Sequence, residues 1–359
     1  MKNIRIVNLI ATLCLLIFPY DNAFCQSLFN INGTVKSTTG EPVEAATVFL
    51  NGTSRVTKTN ADGSFAFKGI SSGSYDIVVT RIGYSSSKVN ALVNSGNEQK
   101  TIELTPKNIQ LNEVQIGKKS RGDKYLSIFF ENFIGATKNA AFCTILNPQV
   151  IEFSTRGNTI LAFSDEFIII NNKRLGFKIS YLLRDFSYDR RTTTTVYDGE
   201  CIFEELKGTE SQQKVWRSNR LKAYKGSFMH YLRTLYAGTT VKEGFVTYAN
   251  DPLQYRLIDS LVNVKTYVSK ANTNFINLAF IPQLKVIYAG SYVAPGITVE
   301  AINPFNLKSL PTSYLSLVVS KAVVDKKGSY EDYKSFFIEG LWGNFRLGDR
   351  LPYEYEPRK

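Results

Sequence analysis

The chain has few residues whose types and spacing could carry chemistry. It contains one histidine, His230, so the two-histidine, one-glutamate site of a zinc peptidase cannot be built, and no cysteine cluster replaces it. His230 follows Ser227 by three residues, a spacing that puts a hydroxyl and a base on one side of a helix. A serine hydrolase of the common α/β type presents its nucleophile on a G-x-S-x-G elbow, and none occurs, so the pair reads as a polar helix flank. Gly-rich phosphate loops of the Walker or dinucleotide type are absent. The adjacent acids Asp165/Glu166 and Glu204/Glu205 lie in strand-like runs, which send neighbours to opposite faces. A glycosidase dyad would have to come from distant residues, which leaves a glycan-directed hydrolase open as an alternative. No catalytic residue, metal ligand or cofactor is assigned.

The one unusual constellation is basic. Between Ser211 and Lys242 the chain carries Lys214, Arg217, Arg220, Lys222, Lys225, Arg233 and Lys242 with no acid. Drawn as one helix at about 100° per residue, Tyr224, Phe228, Tyr231, Leu232 and Leu235 form an apolar arc, with Lys222, Lys225 and Arg233 opposite. Arg220 falls inside the arc. An unpaired buried charge is costly, so its guanidinium must meet either a strand carboxylate or an anionic ligand, and the internal ion pair is the simpler outcome. Trp216, Arg220, Tyr224, Ser227, His230 and Arg233 therefore form the candidate ligand or structural site. Trp216 and Trp342 can offer stacking platforms for sugars, although most of the 20 Tyr and 24 Phe must fill cores.

The elements that must position these residues are mostly strands. Asp123 is placed to cap a helix over Lys124–Asn139 whose apolar face holds Tyr125, Phe129 and Phe133. Residues 149–206 read as an antiparallel meander with turns at Arg156-Gly157-Asn158 and Asn171-Asn172-Lys173, and Phe177, Ile179, Tyr181 and Leu183 share one face. Further strands are expected at Val241–Tyr248, Asn263–Val268, Asn274–Phe280, Lys285–Tyr288 and Tyr314–Val324. Tyr353 and Tyr355, alternating with Glu354 and Glu356, read as an edge strand or a docking tail. The region from residue 124 to 359 is thus a β-rich α+β domain with two main helices. The polar, basic run Gly117–Gly122 marks the boundary before it, within a linker at 107–123.

Ahead of that boundary, seven short alternating runs are separated by turn residues at intervals of about 8–12, the spacing of a small β-sandwich. They are Phe29–Val35, Ala45–Leu50, Thr53–Thr59, Ser64–Lys68, Tyr75–Arg81, Lys88–Val93 and Thr101–Thr105. Asn51-Gly52 predicts a tight two-residue hairpin, Asp62-Gly63 a second reversal, and Phe65, Phe67, Tyr75, Ile77 and Val79 a core face. The opening INGTV, then GEPVEAATV, TNADGSFAF and YDIVVTRIGY closely resemble the carboxypeptidase-regulatory-like domain. That resemblance implies a seven-stranded, transthyretin-like sandwich over residues 26–106 and an accessory, non-catalytic role in Gram-negative envelope proteins. The segment Ile109–Gly117 is similar to the link between this module and a receptor plug, but too few residues follow for a large barrel, and the terminus lacks the expected final aromatic residue. The WRSNR, AYKGS and HYLR runs, with the closing GLWGNFRLGDRLPYEYEP, are similar to envelope proteins of unassigned function that carry the same module.

The first 25 residues set Lys2 and Arg5 before an apolar run from Ile6 to Phe18 and a break at Pro19, the pattern of a signal peptide cleaved before Gln26. Lipidation at Cys25 is the rival fate, poorly served by Phe24. No later run is apolar and long enough to cross a bilayer as a helix. With a formal net charge of +12 the chain is basic, which suits an anionic glycan or an acidic envelope protein as partner; nucleic acid is not expected outside the cytoplasm, and oligomeric state is left open. Cys143 and Cys201 sit in apolar, strand-like contexts that favour buried free thiols over a disulfide. The expectation is an exported, non-catalytic envelope protein of the periplasm or outer membrane that mediates binding or assembly. A hydrolase and an accessory of an outer-membrane transporter are the alternatives.

Overall fold

The computed structural model describes residues 28–107, 119–250, 260–290, 307, 309–330 and 332–357. The expected leader at 1–25, both fates of Cys25 and residues 108–118 of the linker lie outside the described residues. The seven expected N-terminal strands are Leu28–Ser37 (β1), Thr47–Leu50 (β2), Val56–Lys58 (β3), Ser64–Ser71 (β4), Gly73–Thr80 (β5), Ser87–Val93 (β6) and Glu98–Leu104 (β7). They make two facing sheets, β4-β1-β7 and β3-β2-β5-β6, in which β1 and β7 run parallel and the other neighbours antiparallel. Period-2 alternation sends Phe65, Phe67, Tyr75, Ile77 and Val79 inward to join Ile31, Val35 and Ile102. Burial of each such side chain stabilises the sandwich by about 1.5–3 kcal/mol.

One expected turn is different. Leu50 N–H donates to Arg55 O, so Asn51–Ser54 form a longer loop instead of a two-residue hairpin. The loop's own backbone groups bond to the second half of the chain.

That half begins with a helix, α1, at Lys119–Phe129, followed by a π-helical turn over Phe130–Ile134. The helix starts before Asp123, so Asp123 does not cap it. It ends well before Asn139, because Gly135 takes φ +109° and its N–H closes the π-turn on Phe130 O. Phe129 and Phe133 stack at 4.7 Å and pack on Phe186 and Tyr181, the expected apolar face. Beneath lies a six-stranded sheet of Cys143–Ile145 (β8), Glu152–Arg156 (β9), Thr159–Phe163 (β10), Phe167–Asn172 (β11), Phe177–Asp189 (β12) and Thr194–Glu205 (β13). The long β12 organises it: β11 and β10 pair with successive halves of one edge, and β13 pairs along the other. Phe177, Ile179, Tyr181 and Leu183 share its buried face, as their alternation requires.

The single basic helix expected from the sequence is two helices, Glu210–Tyr224 (α2) and Phe228–Ala237 (α3). Gly226 breaks it at φ +77°, where a Cβ would come within 2.6 Å of the Tyr288 ring, and Ser227 caps the new start. The remaining strands are Phe245–Asn250 (β14), Ser260–Leu261 (β15), Val268–Lys270 (β16), Phe275–Leu278 (β17), Gln283–Tyr288 (β18), Thr312–Leu317 (β19), Ala322–Asp325 (β20) and Phe336–Gly340 (β21). They form a β15-β14-β18-β19-β21 sheet and a β16-β17-β20 sheet. Two expectations change here. Asn263–Val268 holds a 3₁₀ turn at Val264–Tyr267 capped by Asn263, and Tyr314–Val324 divides into β19 and β20 in different sheets. Tyr231, Leu232 and Leu235 of α3 are buried with Phe245 and Trp342 in the core of this region.

Candidate functional site

The candidate residues named from sequence occupy a latch and a hinge. Along α2, Trp216 Nε1–H donates to Lys173 O at 2.9 Å and Asn219 Nδ2–H to Arg174 O at 3.0 Å. Arg220 continues the row, donating to Leu175 O at 2.6 Å, Gly176 O at 3.0 Å and Glu205 at 2.7 Å while its guanidinium lies 3.9 Å over the Phe177 ring. This is the internal ion pair with a strand acid, and it latches the helix to the β11–β12 turn. Glu205 is 71% exposed against 8% for Arg220, so solvent screens the charge pair and the two carbonyls carry more of the energy. Trp216 and Trp342 are buried, and their indole N–H groups are engaged by Lys173 O and Gly226 O, so neither is a free sugar platform.

The hinge is at Gly226. Ser227 Oγ accepts from His230 N–H at 3.1 Å as the helix cap, while His230 Nδ1 accepts from Gly226 N–H at 3.1 Å. The serine and the imidazole are therefore both engaged by backbone and do not bond to each other. Nδ1 as acceptor fixes the neutral Nε2–H tautomer, with Nε2 facing Glu243 at 3.7 Å. Burial among Tyr224, Phe245 and Tyr288 pushes the His230 pKa down to about 4, against the opposing pull of Glu243. Arg233 is buried and not on a solvent face, because the break at Gly226 resets the helical phase assumed for one continuous helix. It donates to Lys327 O, Tyr355 O and Tyr353 O and lies 5.3 Å over Tyr224. Lys214, Arg217, Lys222 and Lys225 remain exposed.

Arg233 thus holds the C-terminal tail, which docks on the sandwich. Tyr353 N–H donates to Gly52 O at 2.9 Å, and the Glu354 carboxylate accepts from Ser54 N–H, Ser54 Oγ and Arg55 Nε. Of the two readings of this segment, the docking tail is the one realised. The Asn51–Ser54 loop also joins the edge of β13: Gly52 N–H donates to Cys201 O, Cys201 N–H to Asn51 Oδ1, and Phe203 N–H to Thr53 O. Two charged contacts fasten the same seam. Glu200, fully buried, sits between Arg184 Nε at 2.8 Å and Lys88 of β6 at 3.4 Å. Asp325 pairs with Lys327, whose Nζ lies 3.4 Å from the centroid of the Tyr75 ring, and Asp325 also accepts from Ser74 N–H.

Inside this seam is a cavity of about 560 Å³. The sandwich contributes Asn51, Gly52, Ser74, Asp76 and Lys88; β12 and β13 contribute Tyr181, Tyr197, Asp198 and Cys201; the hinge contributes Ala223, Ser227, Phe228 and Met229; and the C-terminal region contributes Tyr330, Trp342, Arg346, Asp349, Arg350 and Tyr353. Ser227 is the one sequence-named candidate on its wall; Trp216, Arg220, Tyr224, His230 and Arg233 are behind it or elsewhere. Lys88, Arg346 and Arg350 are the cations on its wall. The Arg350 side chain is exposed, and among the described residues its guanidinium makes no hydrogen bond or ion pair. Asp349 accepts from Thr137 and Asn139, and burial raises its pKa. Among the described residues no group of three or more His, Cys, Asp or Glu is placed to hold a metal. Nothing in the LGDRLP run distinguishes Arg350 from a surface arginine, so sequence reasoning passed it over.

Residues 31–116 match the family model of the CarboxypepD_reg-like domain, so the N-terminal sandwich is a domain of that family. No curated protein matches the chain. Among solved structures it is similar to a type II cohesin–X-dockerin complex from Acetivibrio cellulolyticus (18% identity, 21% of this chain and 56% of that one, TM-score 0.19). Others are a DUF3823 family protein from Bacteroides ovatus (14%, 51% and 83%, TM-score 0.19) and the major pilin subunit of Bacillus cereus (8%, 88% and 67%, TM-score 0.21). The chain spans a little over half the length of the first of these. At such TM-scores none carries an argument about this protein.

Proposed function

We propose that this is an exported, non-catalytic protein of the periplasm or outer membrane that binds its ligand in the seam cavity. The observation that carries the reading is the cavity itself: its volume is within the range of small-ligand sites, and it has walls from the regulatory-like sandwich, the six-stranded sheet, the helix hinge and the tail. The regulatory-like module supports an accessory role, its loop and tail contacts serving to complete a binding site. The Ser227 and His230 side chains are each occupied by backbone, which leaves no activated hydroxyl at the hinge.

The test uses the mature chain against a panel of neutral and acidic oligosaccharides, with mass spectrometry of each ligand after incubation. Saturable binding with every ligand recovered intact is expected. Release of shortened products would sink the non-catalytic reading, and failure to bind any glycan, together with specific cross-linking to an outer-membrane receptor, would favour an assembly role. Cell fractionation should find the protein outside the cytoplasm; a cytoplasmic pool with residues 1–25 intact would refute export.

A further inference from the structure

We propose that the outer face of α2 is a docking surface for an anionic lipid bilayer, which it meets through Lys214, Arg217, Lys222 and Lys225. This goes beyond the ligand reading above and does not depend on the seam cavity. Trp216, Asn219 and Arg220 fix the underside of α2 to three successive carbonyls of the β11–β12 turn, so the side that faces solvent is set. At about 100° per residue, Lys214, Ser218 and Lys225 point directly away from that underside, with Arg217 on one flank and Lys222 and Val215 on the other. All six are exposed. From Lys214 to Lys225 the cations spread along about 17 Å of helix. Surface cations elsewhere have acids: Lys178 meets Glu204, Lys107 meets Asp165 and Arg55 meets Glu354. Among the described residues the four on α2 make no ion pair. Of the acids around the helix, Glu205 bonds Arg220 and Glu204 bonds Lys178, which leaves Glu210 at the helix start and Glu243 beside His230. A hydrated lysine needs no partner. What distinguishes this face is that its cations share one side of one fixed element, where exposed helices ordinarily intersperse both signs.

The shape and chemistry of the face select the partner. It is the convex side of a helix, and none of its four cations lines the seam cavity, so it does not enclose a small anion. Both aromatic residues of α2, Trp216 and Tyr224, are buried beneath it, so the helix offers no stacking platform for a sugar. Val215 and Leu221 are the large apolar side chains left on the outer side, too little for the buried anchor around which a protein–protein interface is built. A charged membrane needs neither pocket nor anchor. Its surface potential acts on spread Lys and Arg side chains, each one brought close to the surface raising partitioning about fivefold, and the flexible lysine stems let the ammonium groups settle among the head groups.

The experiment is co-sedimentation of the mature chain with vesicles of phosphatidylcholine alone and of phosphatidylcholine mixed with phosphatidylglycerol in equal parts. It is repeated on a variant that combines Lys214→Gln, Arg217→Gln, Lys222→Gln and Lys225→Gln. A control combines Lys36→Gln, Lys58→Gln, Lys68→Gln and Lys321→Gln, four exposed lysines outside α2 whose removal changes the net charge equally. The wild type should bind the anionic vesicles at least tenfold more tightly than the neutral ones. That binding should fade between about 0.1 M and about 1 M salt, where the screening length shrinks from about 10 Å to about 3 Å. The α2 variant should lose at least tenfold and the control less than threefold. No preference for anionic vesicles, binding that survives high salt, or equal losses in the two variants would each overturn the inference. Tighter binding of a soluble polyanion such as polygalacturonate through the same four residues would also overturn it and reassign the face to an acidic glycan. Should the α2 variant fail to fold, the vesicle preference and salt dependence of the wild type still decide it. None of these failures touches ligand binding in the seam cavity, which the oligosaccharide panel tests separately.

Discussion

His230 allows a sharp test of the hinge because it is the only imidazole in the chain. Its Nδ1 already accepts the Gly226 N–H, so a second proton would set donor against donor in a buried aromatic nest. In the unfolded chain the imidazole takes a proton near its ordinary value of 6.5, and in the folded protein only near pH 4. Between those values the unfolded state binds more protons, so stability falls as pH falls through that window and is flat with respect to His230 on either side. At about 1.4 kcal/mol per pH unit the loss amounts to about 3 kcal/mol. The assay is urea unfolding at several pH values from 7.5 to 4 on the wild type and on His230→Gln. Other titrating groups cancel in the difference between the two proteins. The wild type should lose about 3 kcal/mol more than the variant across the window, and the imidazole C–H resonance should titrate near pH 4 in the native state. Parallel pH profiles, or a native imidazole that titrates near 6.5, would refute the argument.

Arg220→Ala should destabilise the fold by about 2–4 kcal/mol through the stranded carbonyls of Leu175 and Gly176 and the lost stacking on Phe177, whereas Glu205→Gln should cost less than about 1 kcal/mol. Denaturant melts decide it, and equal costs would mean that the ion pair dominates. Glu200→Ala removes the buried partner of Arg184 and Lys88 and should cost about 3–5 kcal/mol, with protease cutting accelerated at the seam; an unchanged midpoint would show that the seam does not depend on it. Gly52→Ala puts a Cβ 2.7 Å from the Tyr353 ring at a φ of +70° and should release the tail, read as new protease sensitivity near residue 353; retained resistance would mean that the tail can shift to accommodate it. Cys143, whose thiol burial pushes up to about 12, and Cys201, raised by the same cause, should be inert to thiol reagents in the native protein and both react once it is denatured without reductant. Recovery of no thiol in that denatured sample would instead demonstrate a disulfide.

The sandwich was legible because its information is local. Alternation at Phe65, Phe67, Ile77 and Val79 and turn residues such as Gly63 specify each strand and its buried face before any pairing is known. The same logic worked for the buried face of β12 and for the ion-pair partner of Arg220, where an arginine in an apolar arc had to find an acceptor. It failed at Gly226. One glycine inside a helical pattern is tolerable by propensity, and its break follows from the Tyr288 ring, Trp342 and His230 packed around it, none of which a local window contains. That error alone placed Arg233 on the wrong side. Asn51-Gly52 failed for a related reason: the dipeptide favours a tight hairpin, but β13 and the tail offer its backbone better partners.

Strand spacing pointed to a small β-sandwich, the INGTV, GEPVEAATV, TNADGSFAF and YDIVVTRIGY runs carried its resemblance to the regulatory-like domain, and a single histidine excludes a two-histidine, one-glutamate zinc site, because counts, motifs and short-range periodicity survive without coordinates. The seam cavity was decided by tertiary structure alone. Its walls bring Asp76, Asp198 and Arg350 together from segments more than a hundred residues apart, a juxtaposition that no local window of sequence contains.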